Sequence, residues 1–506
     1  MTFTQISSLV VACVVAAACE TPVATTRVAS VSVTPGWASL PVAGTVQLIA
    51  VAKDGSGNTL PDAPLTWSSS DSLTASVTSA GVVTALAVGW ATITATSDGR
   101  SGAVAVTVTG SCLSQSGPTT TLSGTQSSAY YRDNLADRAN IDATSAQFLL
   151  APSEDIAAHV AGGSRICWSG GAVIGGFPPN TPWSTMHSKY GMVAGVTGFA
   201  SAPLLKVEGL IVFDYGDGIS MDDQGDIRWS IRNMHVKYSH DDCVENDFMN
   251  GGLIDSSFFD GCFDGMSSQE YRSVLDGSDN VVTIQNSLWR LQAMDAPYDG
   301  PIPNHDAFWK WSSLAPKLAL YNNVFRADEG SWAGTNARMY MAPPPGKLAD
   351  CENNVMVWLG SGSFPETLPT TFNGKTCFSL MTGAAGLQYW DNAVAQWKAN
   401  HPATLPDVGP PIVSLFSPGL VGSTTLTGSV SLTATAVDDR DVAGVQFQMN
   451  GQNIGTEVTT ESPMTKFTLS WDSRGLPNGT YTLTATARDA AGNTTTSTGI
   501  TVTISN

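Results

Sequence analysis

Short apolar runs with alternating polar positions fill both ends of the chain. Residues 46–50 and 91–95 are examples near the N-terminus, and residues 430–434 repeat the pattern near the C-terminus. A period of two in runs this short predicts β-strands that are buried on one face. Many such strands, separated by turn-forming residues, indicate a β-sandwich. The sequence therefore predicts one sandwich domain over residues 28–109 and another over residues 411–506.

A different pattern recurs between residues 205 and 357. Each repeat has an aliphatic or Cys residue, any residue, a small or Asn residue, and then apolar residues. The repeats begin at Val207, Ile231, Ile254, Ile284, Leu320 and Cys351. A repeat of at least 23 residues with insertions of variable length is typical of a solenoid in which every coil is one structural unit. The third position of each repeat is expected to turn the chain and to hydrogen-bond to the neighbouring coil.

A second register accompanies the first. An aspartate followed by a small and then an apolar residue lies after four of the starts, at Asp217, Asp242, Asp264 and, beyond an insertion, Asp306. Two registers kept together predict an all-β fold whose centre, residues 112–405, is a right-handed parallel β-helix with coils about 4.8 Å apart. We expect residues 166–171 to form its initial coil, after a small capping element, and a short helix near residues 393–398.

The first 19 residues predict an export signal. The apolar run from Ile6 to Cys19 is too short to span a bilayer and ends in small residues. Residues 16–19 resemble a bacterial lipoprotein box, which implies lipidation of Cys19, and ordinary cleavage after Ala18 is the alternative. The protein is therefore expected at the cell surface or the outer membrane, or secreted, with a lipid anchor as its contact with the membrane.

Cysteine usage agrees with export. Six cysteines lie between positions 112 and 377, and none forms a C-x-x-C pair. An even number in an exported protein favours disulfides over a metal site or a thiol nucleophile. Sequence order suggests the pairs Cys112–Cys167, Cys243–Cys262 and Cys351–Cys377.

The net charge and the missing motifs exclude several classes of function. The chain has 24 Lys and Arg residues against 43 Asp and Glu residues, a net charge of −19, which argues against a nucleic-acid partner because phosphate backbones are bound by clustered basic residues. It has no nucleophile elbow, no H-E-x-x-H and no phosphate-binding Gly loop. A monomer that acts on a polysaccharide is expected.

Both terminal segments resemble bacterial Ig-like domains. Residues 65–71 and 81–89 resemble the group 2 class, and residues 478–481 with 489–493 resemble another bacterial Ig-like module. Such modules are commonly appended to exported carbohydrate-active enzymes, where they serve as spacers or adhesive modules. Asp438, Asp439 and Asp441 are predicted to form a solvated turn rather than a calcium site.

The stacked aspartates carry the candidate chemistry. Carboxylates about 5 Å apart on adjacent coils cannot all ionise cheaply, so one stays protonated or a cation binds between them. Residues 217–219 and 241–244 resemble the polygalacturonase family, which implies that Asp217, Asp241 and Asp242 are the catalytic carboxylates of an inverting hydrolase. Tyr215 and Gly216 replace that family's Asn-Thr, and Asp264 stands where its Gly-His-Gly has histidine.

Two other interpretations of the same residues remain open. In one, Asp242, Glu245 and Asp247 bind Ca²⁺, since hard cations take six to eight oxygen ligands. This resembles the pectate-lyase-like β-helix enzymes, which implies elimination with Lys237, Arg272 or Lys310 as the base. In the other, the aspartates only shape turns.

An aromatic segment follows at residues 304–311. We predict that Trp309 and Trp311 stack on sugar faces, together with Lys237 and Arg272 as substrate-binding residues, and that His305 carries a proton beside Lys310. The alternative is that the aromatic residues belong to the core. The sequence thus predicts a protein that binds and cleaves a polysaccharide, by lyase or hydrolase chemistry, with Ca²⁺ as its only suggested cofactor. The alternative is a non-catalytic adhesin or glycan-binding protein.

Overall fold

The computed structural model describes residues 27–150, 156–177, 181, 183–186, 190–194, 204–221, 228–269, 275–294, 305–328, 338–402, 405, 407, 409–416, 425–459 and 466–506. Cys19, with the export signal around it, and Arg272 lie outside these residues. None of the helices in the described part of the chain combines the length and the apolar character needed to cross a membrane.

The N-terminal domain is a β-sandwich. Along the strand Gly89–Ser97, the side chains of Ala91, Ile93 and Ala95 are fully buried and the residues between them are half-buried, as a period of two requires. One sheet has the strand order Trp37–Pro41, Arg100–Thr109, Gly89–Ser97, Thr66–Ser69. A second has the order Thr45–Gln47, Val82–Ala85, Ala75–Val77, and Ser30–Thr34 pairs with Ile49–Lys53.

The C-terminal domain is a second sandwich. Its core includes Val445, Phe447 and Ala485, all fully buried between two sheets. One sheet has the strand order Ile412–Phe416, Ser429–Val437, Lys466–Asp472. The other has the order Thr425–Leu426, Ile500–Ile504, Gly479–Asp489, Val442–Met449, Gln452–Asn453, with Thr494–Thr496 paired to Gly479–Asp489. A short 3₁₀ turn, Ser473–Gly475, follows the strand Lys466–Asp472.

The central domain is a parallel β-helix, and the all-β fold class predicted from the sequence is confirmed. Its strands form three ladders in which each coil pairs with the coils before and after it. The first ladder contains Thr119–Gln126, Asn140–Leu149, Ile166–Ser169, Leu204–Glu208, Arg228–Arg232, Gly252–Asp255, Val281–Gln285, Lys317–Tyr321 and Leu348–Glu352. The second contains the end of Asn140–Leu149, then Ala172–Ile174, Ile211–Tyr215, His235–Glu245, Phe258–Ser268, Leu288–Leu291, Val324–Ala327, Asn354–Trp358 and Phe378–Thr382.

The third ladder positions the candidate site. It contains Tyr130–Leu135, Ile156–Gly162, Tyr190–Ala194, Asp217–Ser220, the later parts of His235–Glu245 and Phe258–Ser268, Trp309–Trp311 and, antiparallel, Met339–Tyr340. Its strands are parallel except at the last step. The two eleven-residue strands bend so that each serves two ladders, which joins the second ladder directly to the third.

The third position of the repeat forms the turn between the first and second ladders, as predicted. All six residues there have a positive φ between 51° and 65°: Gly209, Asn233, Ser256, Asn286, Asn322 and Asn353. Left-handed backbone of this kind is tolerated by Gly and Asn far better than by most residues. Their side chains touch along the stack, because the Asn322 amide donates to Asn286 and the Asn286 amide donates to Asp255.

The fourth position carries a second, buried hydrogen-bond ladder. The backbone N–H of Ser257 donates to the Ser287 hydroxyl, that of Ser287 donates to Asn323 Oδ1, and that of Asn323 donates to Asn354 Oδ1. These four side chains are at most 1% exposed. The ladder satisfies buried polar groups that the tight turn would otherwise leave without partners.

The ends of the β-helix differ from the sequence prediction. The coils begin before residue 166, because Thr119–Gln126 and Asn140–Leu149 already pair in the ladders, and the expected separate capping element is wrong for these strands. At the other end, the helix runs over Gly383–Asn400 rather than a few residues. A short helix, Trp183–Met186, a 3₁₀ turn, Cys112–Ser114, and a hairpin of Thr371–Phe372 with Lys375–Thr376 complete the domain.

All three predicted disulfides are confirmed. They join Cys112 to Cys167, Cys243 to Cys262 and Cys351 to Cys377. The second links two consecutive coils beside the third ladder, and all six cysteines are buried. Crosslinks of this kind reduce the entropy of the unfolded chain.

Both sandwich domains pack against the outside of the β-helix. On the N-terminal side, Lys206 Nζ donates to the Val88 carbonyl at 2.7 Å and the Trp90 indole donates to the Trp229 carbonyl at 3.1 Å. On the C-terminal side, an apolar cluster joins domain residues such as Ile412 and Val437 to coil residues such as Phe213, Tyr238 and Phe263. The three domains therefore share buried interfaces.

Candidate active site

Three consecutive coils place an aspartate at the same height of the third ladder. Asp242 and Asp264 are register partners across adjacent coils. Asp217, one coil earlier, accepts a hydrogen bond from the backbone N–H of Asp242 at 3.1 Å. The stacking predicted from the sequence is thus observed: residues 47 positions apart in the chain lie two coils apart in space.

A single ammonium group reaches across this stack from the next coil. Lys310 Nζ lies 3.3 Å from Asp241 Oδ1, 3.3 Å from Asp242 Oδ2 and 3.7 Å from Asp264 Oδ2. Lys310 is the middle residue of the strand Trp309–Trp311, whose flanking side chains point into the core. Because side chains alternate along a strand, the lysine points outward, and 22% of its side chain is exposed.

Asp217 lies outside that ion-pair network yet close to two of its members. Oxygens of Asp217, Asp241 and Asp242 lie within 4.8 Å of one another, and all three residues are buried. Burial raises the pKa of Asp217 well above its ordinary value, and the neighbouring charges of Glu245, Asp241 and Asp242 raise it further. Asp217 is therefore the carboxyl group of this cluster whose pKa is raised without an ion pair to Lys310.

Burial and the Lys310 ammonium have opposite effects on the pKa values of the other carboxyl groups in the site. Burial raises the pKa values of Asp242 and Asp264 well above the ordinary range, and Lys310 opposes the rise in both. The pKa of Lys310 is itself raised well above its ordinary value, because the attraction of Asp241, Asp242 and Asp264 exceeds the effect of burial. Lys310 is consequently an ammonium ion at neutral pH and a poor general base.

The predicted calcium ligands are arranged differently from the expectation. Asp247 accepts hydrogen bonds from the Ser267 hydroxyl at 2.6 Å and the Gln269 backbone N–H at 2.8 Å. Among the described residues here, the carboxylate oxygens that lie within 4.8 Å of one another belong to Asp217, Asp241 and Asp242. Glu245 and Asp247 are not part of this group. The Lys310 ammonium already supplies a positive charge to Asp241, Asp242 and Asp264, and calcium binding here stays a prediction.

The aromatic segment belongs to the core, so two predicted sugar-binding residues are corrected. Trp309 and Trp311 are 2% and 1% exposed and pack among the core aromatics, which leaves no face for a sugar ring. His305 is also buried, its Nδ1 lies 2.8 Å from the Asp306 carbonyl, and burial lowers its pKa. Lys237 is buried against the C-terminal domain, where Nζ donates to the Arg440 carbonyl at 2.6 Å, so it is neither a base nor a substrate contact.

Sequence reasoning missed one hydrogen-bonded His–Asp pair that flanks the stack. His240 Nε2 lies 3.0 Å from Asp214 Oδ1, and the other Asp214 oxygen accepts the backbone N–H groups of Gly176 and Phe177. Asp214 has a positive φ of 60°. The available signal was position: Asp214 lies three residues before Asp217, and His240 directly precedes Asp241. This pair fixes the chain on the approach to both catalytic candidates.

A cleft lies away from the aspartate stack. It has a volume of about 590 Å³ and is formed by turns between the first and second ladders, by the end of the helix Gly383–Asn400, and by the C-terminal domain. Its wall includes His235, Trp397 and His401. The molecule therefore offers a concave surface that is distinct from the cluster of titratable groups.

Comparison with known proteins identifies both terminal domains. Residues 27–108 match the bacterial Ig-like domain (group 2) family and residues 411–485 match the bacterial Ig domain family, which confirms the two resemblances drawn from the sequence. No curated protein matches the chain. Two bacterial Ig-like domains together with three disulfides are consistent with an extracellular or cell-surface protein.

Matches to solved structures are partial. One is to the fibronectin(III)-like modules of Clostridium thermocellum CbhA, at 20% identity, covering 20% of this chain and 48% of that one, with a TM-score of 0.15. Another is to the endo-beta-1,4-mannanase from Thermotoga petrophila, at 11% identity, covering 30% and 32%, with a TM-score of 0.17. This chain thus spans about half the length of the first protein and about a third of the second.

Proposed function

We propose that this protein is exported and hydrolyses a glycosidic bond of a polysaccharide at the aspartate stack. The observation that carries the proposal is the pairing of a carboxyl group whose pKa is well raised, Asp217, with carboxylates on the next coil that share an ammonium. Glycoside hydrolysis needs both forms, one to protonate the leaving oxygen and one to activate water or attack.

The roles follow from the contacts. Asp217, which receives no ion pair from Lys310, is the general acid. Asp241 and Asp242 each lie 3.3 Å from the Lys310 ammonium, which opposes the rise that burial causes in the pKa of Asp242, so we assign the base to this pair. Lys310 and the Asp214–His240 pair are positioning groups.

Hydrolysis is favoured over elimination by the state of Lys310. A lyase needs a side chain that removes the C5 proton of a uronate, and a lysine serves only when it is neutral. The raised pKa of Lys310 opposes that state, and Lys237 is engaged with Arg440. The resemblance to the polygalacturonase family in residues 217–219 and 241–244 supports the same choice.

The test is incubation of the full chain with neutral and uronate-containing polysaccharides. We expect new reducing ends without absorbance near about 235 nm, the signal of an unsaturated uronate. Asp217→Asn and Asp242→Asn should each lower kcat by about 10²- to 10⁴-fold with little change in KM, and Asp279→Asn, at an exposed aspartate of a neighbouring coil, should match the wild type. Full activity in Asp217→Asn contradicts the assignment.

A second candidate function is non-catalytic glycan binding at the cell surface. It is favoured by the burial of Asp217, Asp241, Asp242 and Asp264, each at most 5% exposed, and by the separate cleft that contains Trp397. Glycan binding that Trp397→Ala abolishes, with no product from any polysaccharide, supports this function over hydrolysis.

A further inference from the structure

A second group of carboxylates lies where the linker after the β-helix meets the C-terminal domain. Oxygens of Asp407, Asp438 and Asp489 lie within 4.8 Å of one another. Asp407 belongs to the linker, Asp438 follows the strand Ser429–Val437, and Asp489 ends the strand Gly479–Asp489. Three separate segments of the chain therefore bring an acidic side chain to one point.

Of the three aspartates predicted to form a solvated turn, Asp438 and Asp439 are buried and Asp441 is exposed, while Asp407 is half-buried. Asp438 and Asp439 are each 1% exposed and Asp489 is fully buried. The sequence could not reveal this, because the burial comes from the linker and the coils that pack over the domain. Gly409 shows how close the linker comes: a Cβ at that position would lie 2.7 Å from Asp439 Oδ1.

Two oxygens of this cluster lack a protein partner among the described residues. They are the buried oxygens Asp438 Oδ1 and Asp407 Oδ1. The Arg440 side chain lies 3.5 Å from Asp439, and its backbone N–H donates to the other Asp438 oxygen at 2.9 Å. The aspartate stack contains the Lys310 ammonium, but no ion pair of the described residues involves Asp407, Asp438 or Asp489.

Lys237 favours the charged forms of Asp407 and Asp438 from a distance but forms no ion pair with either of them. Carboxylate oxygens that are removed from water without a partner are unfavourable, and a bound cation would satisfy those of Asp407 and Asp438. Two oxygens bound to one Ca²⁺ at about 2.4 Å lie at most about 4.8 Å apart, so the three oxygens are close enough to share one ion. Asp489 Oδ1 accepts hydrogen bonds from two backbone N–H groups, and Oδ2 accepts one from the Asn493 amide. These bonds hold the carboxylate in place, and Oδ2 keeps a further lone pair.

We propose that Asp407, Asp438 and Asp489 bind one Ca²⁺ ion, which fastens the linker to the C-terminal Ig-like domain. Ca²⁺ is favoured over Mg²⁺ because Mg²⁺ keeps several waters and is bound by one or two carboxylates, whereas this site supplies three, two of them buried. The site is independent of the proposed hydrolase activity, which uses other residues.

The test is equilibrium dialysis of the full chain against ⁴⁵Ca²⁺, repeated in excess Mg²⁺. We expect one equivalent of bound Ca²⁺ in the wild type and in Asp441→Asn, a neighbouring aspartate whose side chain is 68% exposed, and loss of that equivalent in Asp438→Asn. Asp407→Asn changes the linker rather than a strand of the domain, so it should fold and should also lose the ion. EDTA should lower the midpoint of thermal unfolding of the wild type but not that of either variant.

Three results overturn the proposal. In the first, the wild type binds no Ca²⁺. In the second, the Asp407→Asn variant still binds one full equivalent of Ca²⁺. In the third, Asp242→Asn loses the bound Ca²⁺ and Asp438→Asn keeps it. The last result would place the ion at the aspartate stack.

Discussion

Replacing Lys310 by Met removes the one ammonium in the aspartate stack and leaves a side chain of similar length. Asp241 and Asp242 then lose a charge at 3.3 Å and Asp264 loses one at 3.7 Å. At an effective dielectric constant of about 20, one such contact corresponds to about 5 kcal/mol. Breaking a buried pair from one side costs about 3–5 kcal/mol in practice, so we expect the free energy of unfolding to fall by about 4 kcal/mol at pH 8.

The fall in the free energy of unfolding that Lys310→Met causes should be larger at high pH than at low pH. The pKa values of Asp217, Asp242 and Asp264 are already raised in the folded state, so the folded protein binds more protons than the unfolded chain and its stability falls as the pH rises above about 4. Without Lys310 these pKa values rise further, and the fall continues to higher pH. The penalty should therefore shrink by up to about 1.4 kcal/mol per pH unit for each carboxyl that is protonated on going from pH 8 to pH 5.

Thermal unfolding at pH 5, 6.5 and 8 measures this difference. A penalty of about 4 kcal/mol corresponds to a fall of roughly 10 °C in the midpoint for a domain of this size. Lys317→Met, at an exposed lysine of the following coil, should change the midpoint little at every pH. A Lys310→Met penalty that is absent at pH 8, or that has the same size at pH 5, refutes the electrostatic description of the site.

Two further predictions concern the scaffold. Asn323→Ala should lower the free energy of unfolding by about 3 kcal/mol. The buried Asn323 side chain accepts a hydrogen bond from the Ser287 N–H and donates to the Ile284 carbonyl and to Asn354, and such bonds are worth about 1 kcal/mol each. Unchanged thermal unfolding of the variant would contradict this. Burial lowers the pKa of Lys206 to about 8, so the unfolded chain binds more protons between pH 8 and 10 and wild-type stability should rise by about 1.4 kcal/mol per pH unit there. Lys206→Met should lack that rise in urea unfolding at pH 7, 8.5 and 10, and equal slopes would contradict the prediction.

The repeat was readable from the sequence because its physical causes are local. A left-handed turn selects Gly or Asn, a buried coil selects aliphatic residues, and both requirements recur once per coil, from Gly209 to Asn353. Cysteine pairing was readable because each cysteine pairs with the next one in the sequence, across one coil for Cys243–Cys262 and Cys351–Cys377 and across two for Cys112–Cys167. The stack of Asp217, Asp242 and Asp264 follows from the same register.

What the sequence did not reveal depends on contacts between domains and on which face a strand presents. Trp309 and Trp311 carry the same signal whether they face the core or a ligand, and their burial follows from the outward position of Lys310 between them. Lys237 and Asp438 lie near each other only because the C-terminal domain folds back on the coils. No local sequence pattern predicts that the C-terminal domain packs against the coils.

The helix Gly383–Asn400 runs back along the outside of the coils and spans four of the steps between them. Gly386 near its start lies against Val357, Trp397 near its end donates to the Ser256 carbonyl, and His401 just beyond it reaches Asn233, four coils before Val357. Four steps of about 4.8 Å amount to about 19 Å, and fifteen helical residues span about 22 Å. A duplication that adds one coil between Asn233 and Val357 would thus need about three more helical residues to keep the contacts at both ends of the helix. The length of the helix and the number of coils between its contacts are therefore expected to change together.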